Sequence, residues 1–405
     1  MKRIFEKAIN PLRFFLNDSR AVGVLLLLCT MFSLIISNSF FGDWYRGLWN
    51  NSLPALHSVY LPSSFGHWIN DFLMSFFFLM AGMEIKRELK GGELSSFKRA
   101  VLPFGAAFGG MLVPALIFLL FNIGSGHERG WGIPTATDIA FSLGALSLFG
   151  KRVPVGLKIL LMALAIIDDL GAIIVIALFY GGKIQFDFLL LATVIYLLLW
   201  ACNLFKLKFG IIQVVLSFAL WYTMFHAGIE ASISGVLVAF AMPVNILARI
   251  EKIILRPVNF IIIPLFALAN TAITINGNVL ESLNTSLALG VIAGLVVGKP
   301  IGIFLFSRLL VGLGIAKLPA HVNWRSILCM GTLAGIGFTM SIFTTALAFK
   351  QEELKDVAKI AILISVVTSV LVSWLNFSTV RSKARQLVGI PDQQSVPEPQ
   401  NVVIN

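Results

Sequence analysis

Charge is what this chain has least of. Only 13% of its 405 residues are Asp, Glu, Lys or Arg, against 58% hydrophobic. A soluble domain carries about 25% charged residues, so an ordinary water-soluble globular domain is excluded. Cysteine is also scarce: Cys29, Cys202 and Cys329 all lie in or beside apolar runs. Three scattered thiols give neither a disulfide framework nor a metal-ligand spacing, and they read as packing thiols. Acidic residues number only 20, which makes any acid inside an apolar run informative.

What is present is a succession of apolar windows of about 20 residues, the length a membrane-spanning helix needs. They recur from Ala21 to Phe377 and predict twelve spans, at 21–38, 67–86, 101–122, 132–149, 155–180, 187–205, 210–225, 228–244, 256–275, 286–308, 325–349 and 357–380. The expected fold class is an all-α polytopic membrane protein. Residues 1–20 form a basic N-terminal segment, 21–385 a single transmembrane domain, and 386–405 a disordered tail with no apolar period. The first apolar run lacks a small-residue cleavage site, so it reads as an uncleaved helix rather than a signal peptide.

The net charge of +11 would suit nucleic acid, but its distribution points elsewhere. With both termini cytoplasmic, 24 Lys and Arg fall in inside segments and 6 in outside ones, with Lys299 left within a span. That bias is the positive-inside rule, so the partner is a lipid bilayer and no nucleic-acid contact is expected. The longest outer segment, Asp43 to Pro62, is aromatic and rich in turn residues, and reads as an interfacial belt.

The chain is organised around Leu161 to Leu178, where Asp168 and Asp169 stand side by side in an otherwise apolar run. Each aspartate costs roughly 2.5–3.5 kcal/mol at the membrane centre. Each Leu, Ile or Val returns only about 0.3–0.6 kcal/mol. Stability does not account for the pair; an ion or proton path does. Neighbours on a helix point about 100° apart, so one aspartate can face a cavity and the other an adjacent helix. The two titrate as a unit. Ionised, they make a hard oxygen site for a small cation, with the Thr137 hydroxyl and freed backbone carbonyls as further ligands, and unsuited to a soft metal. Protons and cation would compete for the same carboxylates, which is the requirement for exchange.

Two spans are interrupted, at Trp131-Gly-Ile-Pro-Thr-Ala-Thr-Asp-Ile-Ala-Phe141 and at Gly331-Thr-Leu-Ala-Gly-Ile-Gly-Phe-Thr-Met-Ser341. Pro134 lacks a backbone donor, and Gly335 and Gly337 resist helix. Unwound backbone survives at membrane depth only where buried in protein or lining a cavity. The breaks fall in the fourth and eleventh spans, so their copies run in opposite directions, the inverted-repeat pattern of secondary transporters. Half-helix N-termini carry about +0.5 charge and C-termini about −0.5. Asp138 is placed to offset the N-termini. Lys299 can offset the C-termini or pair with an aspartate. Glu84, Arg87 and Glu88 share one helix face at the cytoplasmic end of the second span, as ordinary local ion pairs or as a cation funnel. Asp71 and Glu230 lie near outer span ends, exposed or lining an exit.

Five segments together carry a specific resemblance: Thr135-Ala-Thr-Asp-Ile-Ala-Phe141, Ala165-Ile-Ile-Asp-Asp-Leu-Gly171, Gly82-Met-Glu-Ile-Lys-Arg-Glu-Leu89, Val297-Gly-Lys-Pro-Ile-Gly302 and Gly335-Ile-Gly-Phe-Thr-Met-Ser341. They resemble the NhaA family of sodium/proton antiporters, from about Phe14 to Arg385. That family is itself a standard example of inverted repeats with half-helix ion sites. The resemblance implies twelve spans with crossed fourth and eleventh helices, and a homodimer braced by an outer hairpin. It implies electrogenic export of sodium or lithium against protons, activated by alkaline pH, in a bacterial inner membrane, with no cofactor. Asp168 and Asp169 match the family's ion-binding pair, Thr137 and Asp138 its unwound-helix residues, and Lys299 its membrane lysine. Glu84, Arg87, Glu88 and Glu251 match the pH-responsive region. The chain has Glu230 and Lys252 at histidine positions of the best-known pattern. Histidine is the usual switch near neutral pH, so the pH of activation is not carried over. The alternatives are a sodium-coupled solute symporter of similar fold and an intramembrane aspartyl protease. The latter needs two facing carboxylates on separate helices.

Overall fold

The computed structural model describes residues 19–52, 61–149, 153–205, 207, 209–275 and 279–388. The expected N-terminal segment up to residue 18, part of the outer segment (53–60) and the tail from 389 lie outside the described residues. Among the described residues there is no strand. Helices α1 (Ser19–Ser37) and α2 (Gly42–Asn50) meet at 117°. Then come α3 (Phe65–Gly91), α4 (Phe97–Asn122), a 3-10 helix Glu128–Thr135, α5 (Ile139–Leu148), α6 (Val155–Phe179), α7 (Phe186–Leu204) and α8 (Ile211–Ala227). The second half holds α9 (Ser234–Ala241), α10 (Val244–Asn270), the short α11 (Val279–Leu283), α12 (Ser286–Gly312), α13 (Trp324–Ala334), α14 (Phe338–Ala348) and α15 (Glu352–Val388).

Seven of these helices are long and apolar enough to cross a membrane, or up to nine if each of two bent pairs is one span. The architecture is therefore the expected all-α membrane fold, while helix length alone does not reach twelve. The shortfall has a physical cause. The predicted fourth span is a 3-10 helix, an extended break and a ten-residue α5. The predicted seventh and eighth are the short α8 and α9.

Two boundaries differ from the sequence reading. The ninth predicted span begins at Val244 rather than 256, because Arg249, Lys252 and Arg256 sit on exposed turns of a continuous helix. The outer segment predicted as an aromatic belt contains α2. Tyr45 is buried there, with its hydroxyl 3.2 Å from both Ser33 Oγ and Leu268 O, and Arg46 donates to Ser37 O at 2.7 Å.

The core surrounds α6, the most enclosed of the seven long helices. It packs against α4, and α4 packs most extensively against α12. The α4–α12 contact depends on backbone approach: a Cβ on Gly109 would lie 2.4 Å from Gly302 O, and one on Gly302 2.1 Å from Gly109 O. In a membrane, where apolar surface gives helices no preference for each other over lipid, such small-residue contacts carry the packing. By contrast, α7 is largely uncovered and presents Leu190, Leu197, Leu198 and Trp200 outward.

Candidate ion-exchange site

The two interrupted segments cross each other. Between the 3-10 helix and α5, residues 136–138 are extended, and α13 and α14 are separated by a break bent by 48°. The Asp138 backbone N–H donates to Ile336 O at 2.7 Å, tying one break to the other. Gly337 is required at this crossing, since a Cβ there would sit 2.7 Å from Ala136 O.

The crossing brings two helix N-termini together, and Asp138 lies between them. Its Oδ1 accepts the Phe141 N–H at 3.0 Å and so caps α5. Its Oδ2 accepts the Thr339 N–H at 3.2 Å and the Thr339 hydroxyl at 2.7 Å at the start of α14. One carboxylate thus faces two partial positive charges of about +0.5 each. The arrangement satisfies donors that water cannot reach at this depth.

The opposite ends carry buried carbonyls without an intrahelical donor, and Lys299 meets one of them. Its Nζ donates to Thr135 O, the last residue of the 3-10 helix, at 2.5 Å. It also lies 3.0 Å from Asp168 Oδ2, with both side chains fully buried. The Thr137 hydroxyl is 2.6 Å from the same Asp168 Oδ2 and 2.9 Å from Ala334 O at the end of α13. A hydroxyl has one proton, so Thr137 serves the carboxylate or the carbonyl at any moment.

Lys299 is aimed by its own helix. Residues Gly294–Gly298, just before it, form a π-helical turn, which adds a residue to the turn and rotates the helix beyond it. Such turns concentrate at functional sites. Gly110 on α4 lies against the next turn of this helix, where a Cβ would sit 2.9 Å from Ile303 Cγ1, while its distance to Lys299 Cε, 3.8 Å, would be an ordinary contact.

Asp168 and Asp169 therefore face different surroundings, as their 100° offset requires. Asp168 is held by Lys299 and Thr137 through Oδ2, while its Oδ1 has no hydrogen-bond partner. Asp169 is buried, its Oδ1 is also unpartnered, and its charged neighbours are Glu84, Asp168, Asp138 and Lys299. A buried acceptor without a donor is costly, about 1–3 kcal/mol or more for a charged group. Two such oxygens on adjacent residues are places where a proton or a hard cation removes that cost. Among the described residues no cluster of three or more His, Cys, Asp and Glu forms a conventional metal site.

The model of one protein family, Na+/H+ antiporter 1, matches residues 13–377. A Na(+)/H(+) antiporter NhaA of Flavobacterium psychrophilum is 45% identical over 372 residues, covering 90% of this chain and 95% of that one. Antiporters of Clostridium beijerinckii (NhaA 2) and Proteus mirabilis (NhaA) are each 42% identical, covering 95% and 93% of this chain and 98% of theirs. The chain belongs to the Na+/H+ antiporter 1 family.

Around this antiporter's core lie the other expected residues, in two groups. At the positively charged end, Arg87 on α3 pairs with Glu251 on α10, its Nη1 lying 2.6 Å from both carboxylate oxygens, and lies 3.9 Å from Glu84. Glu88 acts on Glu84 and Arg87 through its charge, while its Oε2 accepts the Glu93 N–H at 2.9 Å. Lys252 is exposed. At the other end, Asp71 and Glu230 are half-buried on elements that pack together, the π-helical turn Trp68–Leu73 and the turn leading into α9. Glu230 accepts from Ser232 Oγ at 3.0 Å, and Asp71 O accepts from Trp221 Nε1 at 3.0 Å.

Two residues of the antiporter escaped the sequence reading as site members. Thr339 supplies two of the three donors on Asp138; the position was visible as the counterpart of Asp138, but its contact was not. Lys86, counted only as an inside charge, is buried and donates to Ala239 O at 3.3 Å, Phe240 O at 2.7 Å and Met242 O, closing the C-terminus of α9. Its signal was its place one turn after Gly82 on the buried face of α3.

Proposed function

We propose that this antiporter exports sodium, and lithium as a cation of like hardness, in exchange for entering protons at Asp168 and Asp169. The observation that carries the reading is the pair of unpartnered buried Oδ1 atoms on adjacent aspartates beside the helix crossing. With protons bound, the carboxylates are neutral and the carrier can reorient. With one sodium ion bound, the ion offsets one carboxylate charge and Lys299, 3.0 Å from Asp168, offsets the other; the empty ionised pair, with Lys299 alone against two charges, is the costly state that does not cross. Two carboxylates offer more proton places than one sodium ion has charges, so a cycle carrying two protons in and one sodium ion out moves net charge and is electrogenic. Thr137 is a further oxygen ligand, and Asp138 and Lys299 balance the helix ends in either load.

The pH response rests on Glu84, Arg87, Glu88, Glu251 and Lys252, with the Arg87–Glu251 bridge tying α3 to α10. Asp71 and Glu230 line the outer exit. The protein resides in a bacterial inner membrane with both termini cytoplasmic, crosses it twelve times when α1, α8, α9 and the two crossed segments are counted as passes, and works as a homodimer without a cofactor. The test is proton flux in inverted vesicles on addition of sodium, lithium or potassium. Responses to sodium and lithium, lost in Asp169→Asn, support the reading. A native protein silent to sodium and lithium across about pH 6–9 overturns it.

A further inference from the structure

A cavity of about 590 Å³ opens beside the core at the positively charged end of the molecule. It is separate from the aspartate pair and shares no residue with the exchange site. Its rim carries Lys98 and Arg99 from the first turn of α4 and Lys317 from the segment after α12. All three are exposed. The one acid in the lining, Glu93, lies 3.8 Å from Arg99 and offsets a single charge. The rim is therefore net positive by two.

Below the rim the chemistry changes. The walls are apolar: Leu102 and Pro103 on α4, and Ile159, Leu160 and Ala163 on α6. From Gly156 at the mouth to Ala163, α6 advances seven residues, or about 10 Å at 1.5 Å per residue. Phe97, Val155 and Leu313 stand exposed near the mouth, as residues at the level of lipid do. A charged rim over an apolar shaft of this depth matches neither water nor a simple ion. It matches a molecule with an anionic head and a hydrocarbon body.

We propose that this cavity binds an anionic phospholipid of the adjacent leaflet, its phosphate held by Lys98, Arg99 and Lys317 and its acyl chain laid along α6. Basic pockets between membrane helices recognise anionic headgroups in this way, and each Lys or Arg near the headgroup plane contributes roughly a fivefold gain in affinity. The phosphate chemistry is shared with free inorganic phosphate, which has no use for the apolar shaft. The cavity floor at Ala163 is five residues from Asp168, about 7.5 Å along the same helix, so the lipid would brace the half of α6 that leads to the acid pair.

The test uses the purified full-length protein and native mass spectrometry with phosphatidylglycerol, phosphatidylcholine or inorganic phosphate. The wild type should retain phosphatidylglycerol over phosphatidylcholine, and inorganic phosphate should not displace it. Neutralising the rim in a Lys98→Gln, Arg99→Gln, Lys317→Gln variant should lower apparent affinity about a hundredfold. These side chains are exposed, and an unchanged melting temperature in phosphatidylcholine shows that the variant is folded. Ile159→Trp, which fills the shaft and leaves every charge in place, should also weaken retention. A control outside the cavity, Arg249→Gln on α10, should have no effect. Undiminished retention in the rim variant, or displacement by inorganic phosphate, overturns the proposal. So does full retention in Ile159→Trp, because it would reduce the effect to surface charge.

Discussion

Replacing Lys299 by Met should destabilise the antiporter far more than the loss of one surface charge would. Lys299 and Asp168 are both fully buried and 3.0 Å apart, and Nζ also satisfies Thr135 O. Removing one partner of a buried pair costs about 3–5 kcal/mol, because the remaining charge is left without compensation. At about 2 °C per kcal/mol, the low end of the range for domains of 150–250 residues, the melting temperature should fall by about 6–10 °C. Adding Asp168→Asn removes that stranded charge while an amide oxygen can still accept from Thr137. The double variant should therefore recover most of the loss, and because Asp168→Asn alone strands Lys299 in the same way, its cost should fall well short of the sum of the two single variants. The assay is thermal unfolding in detergent across the full cycle of single and double variants. A Lys299→Met protein that melts within about 1 °C of wild type would refute the reasoning, since ~3 kcal/mol cannot hide in that shift. Simple additivity in the double variant would refute it equally.

Asp138→Asn should fold normally, transport weakly and lose about 1–2 kcal/mol, because an amide supplies one acceptor and no charge to two helix N-termini; circular dichroism with vesicle flux checks this, and full activity would count against the charge-balance role. Arg87→Gln should shift melting by no more than about 2 °C, since the Arg87–Glu251 pair is partly exposed and such pairs contribute roughly 0–1 kcal/mol. Its flux should nevertheless show an altered pH profile, and a profile superimposable on wild type would remove the pair from the pH response.

Much of the site was visible in the sequence for one reason: charge inside a membrane is expensive, so Asp138, Asp168, Asp169 and Lys299 stand out against apolar runs. The relation between Asp138 and Thr339 was visible as position in two broken spans, and in the structure the two side chains touch at 2.7 Å. What stayed hidden lacks a sequence period. The π-helical turn at Gly294–Gly298 that aims Lys299 reads as more apolar helix. Lys86 looks like any inside lysine until Ala239, Phe240 and Met242 are folded against it. The start of α10 at Val244 was missed because hydropathy averages over a helix, and its charged residues occupy exposed turns. Helix α2 was missed because its turn-rich context outweighs nine residues of modest propensity.

The central claim is that proton and sodium occupy the same carboxylates in turn. Sodium binding measured calorimetrically at a series of pH values tests it most directly. The account predicts proton release on binding and an apparent sodium affinity that falls about tenfold per pH unit for each proton displaced once the pair is protonated, with no binding in Asp169→Asn. A sodium affinity independent of pH, with no protons released, would contradict it.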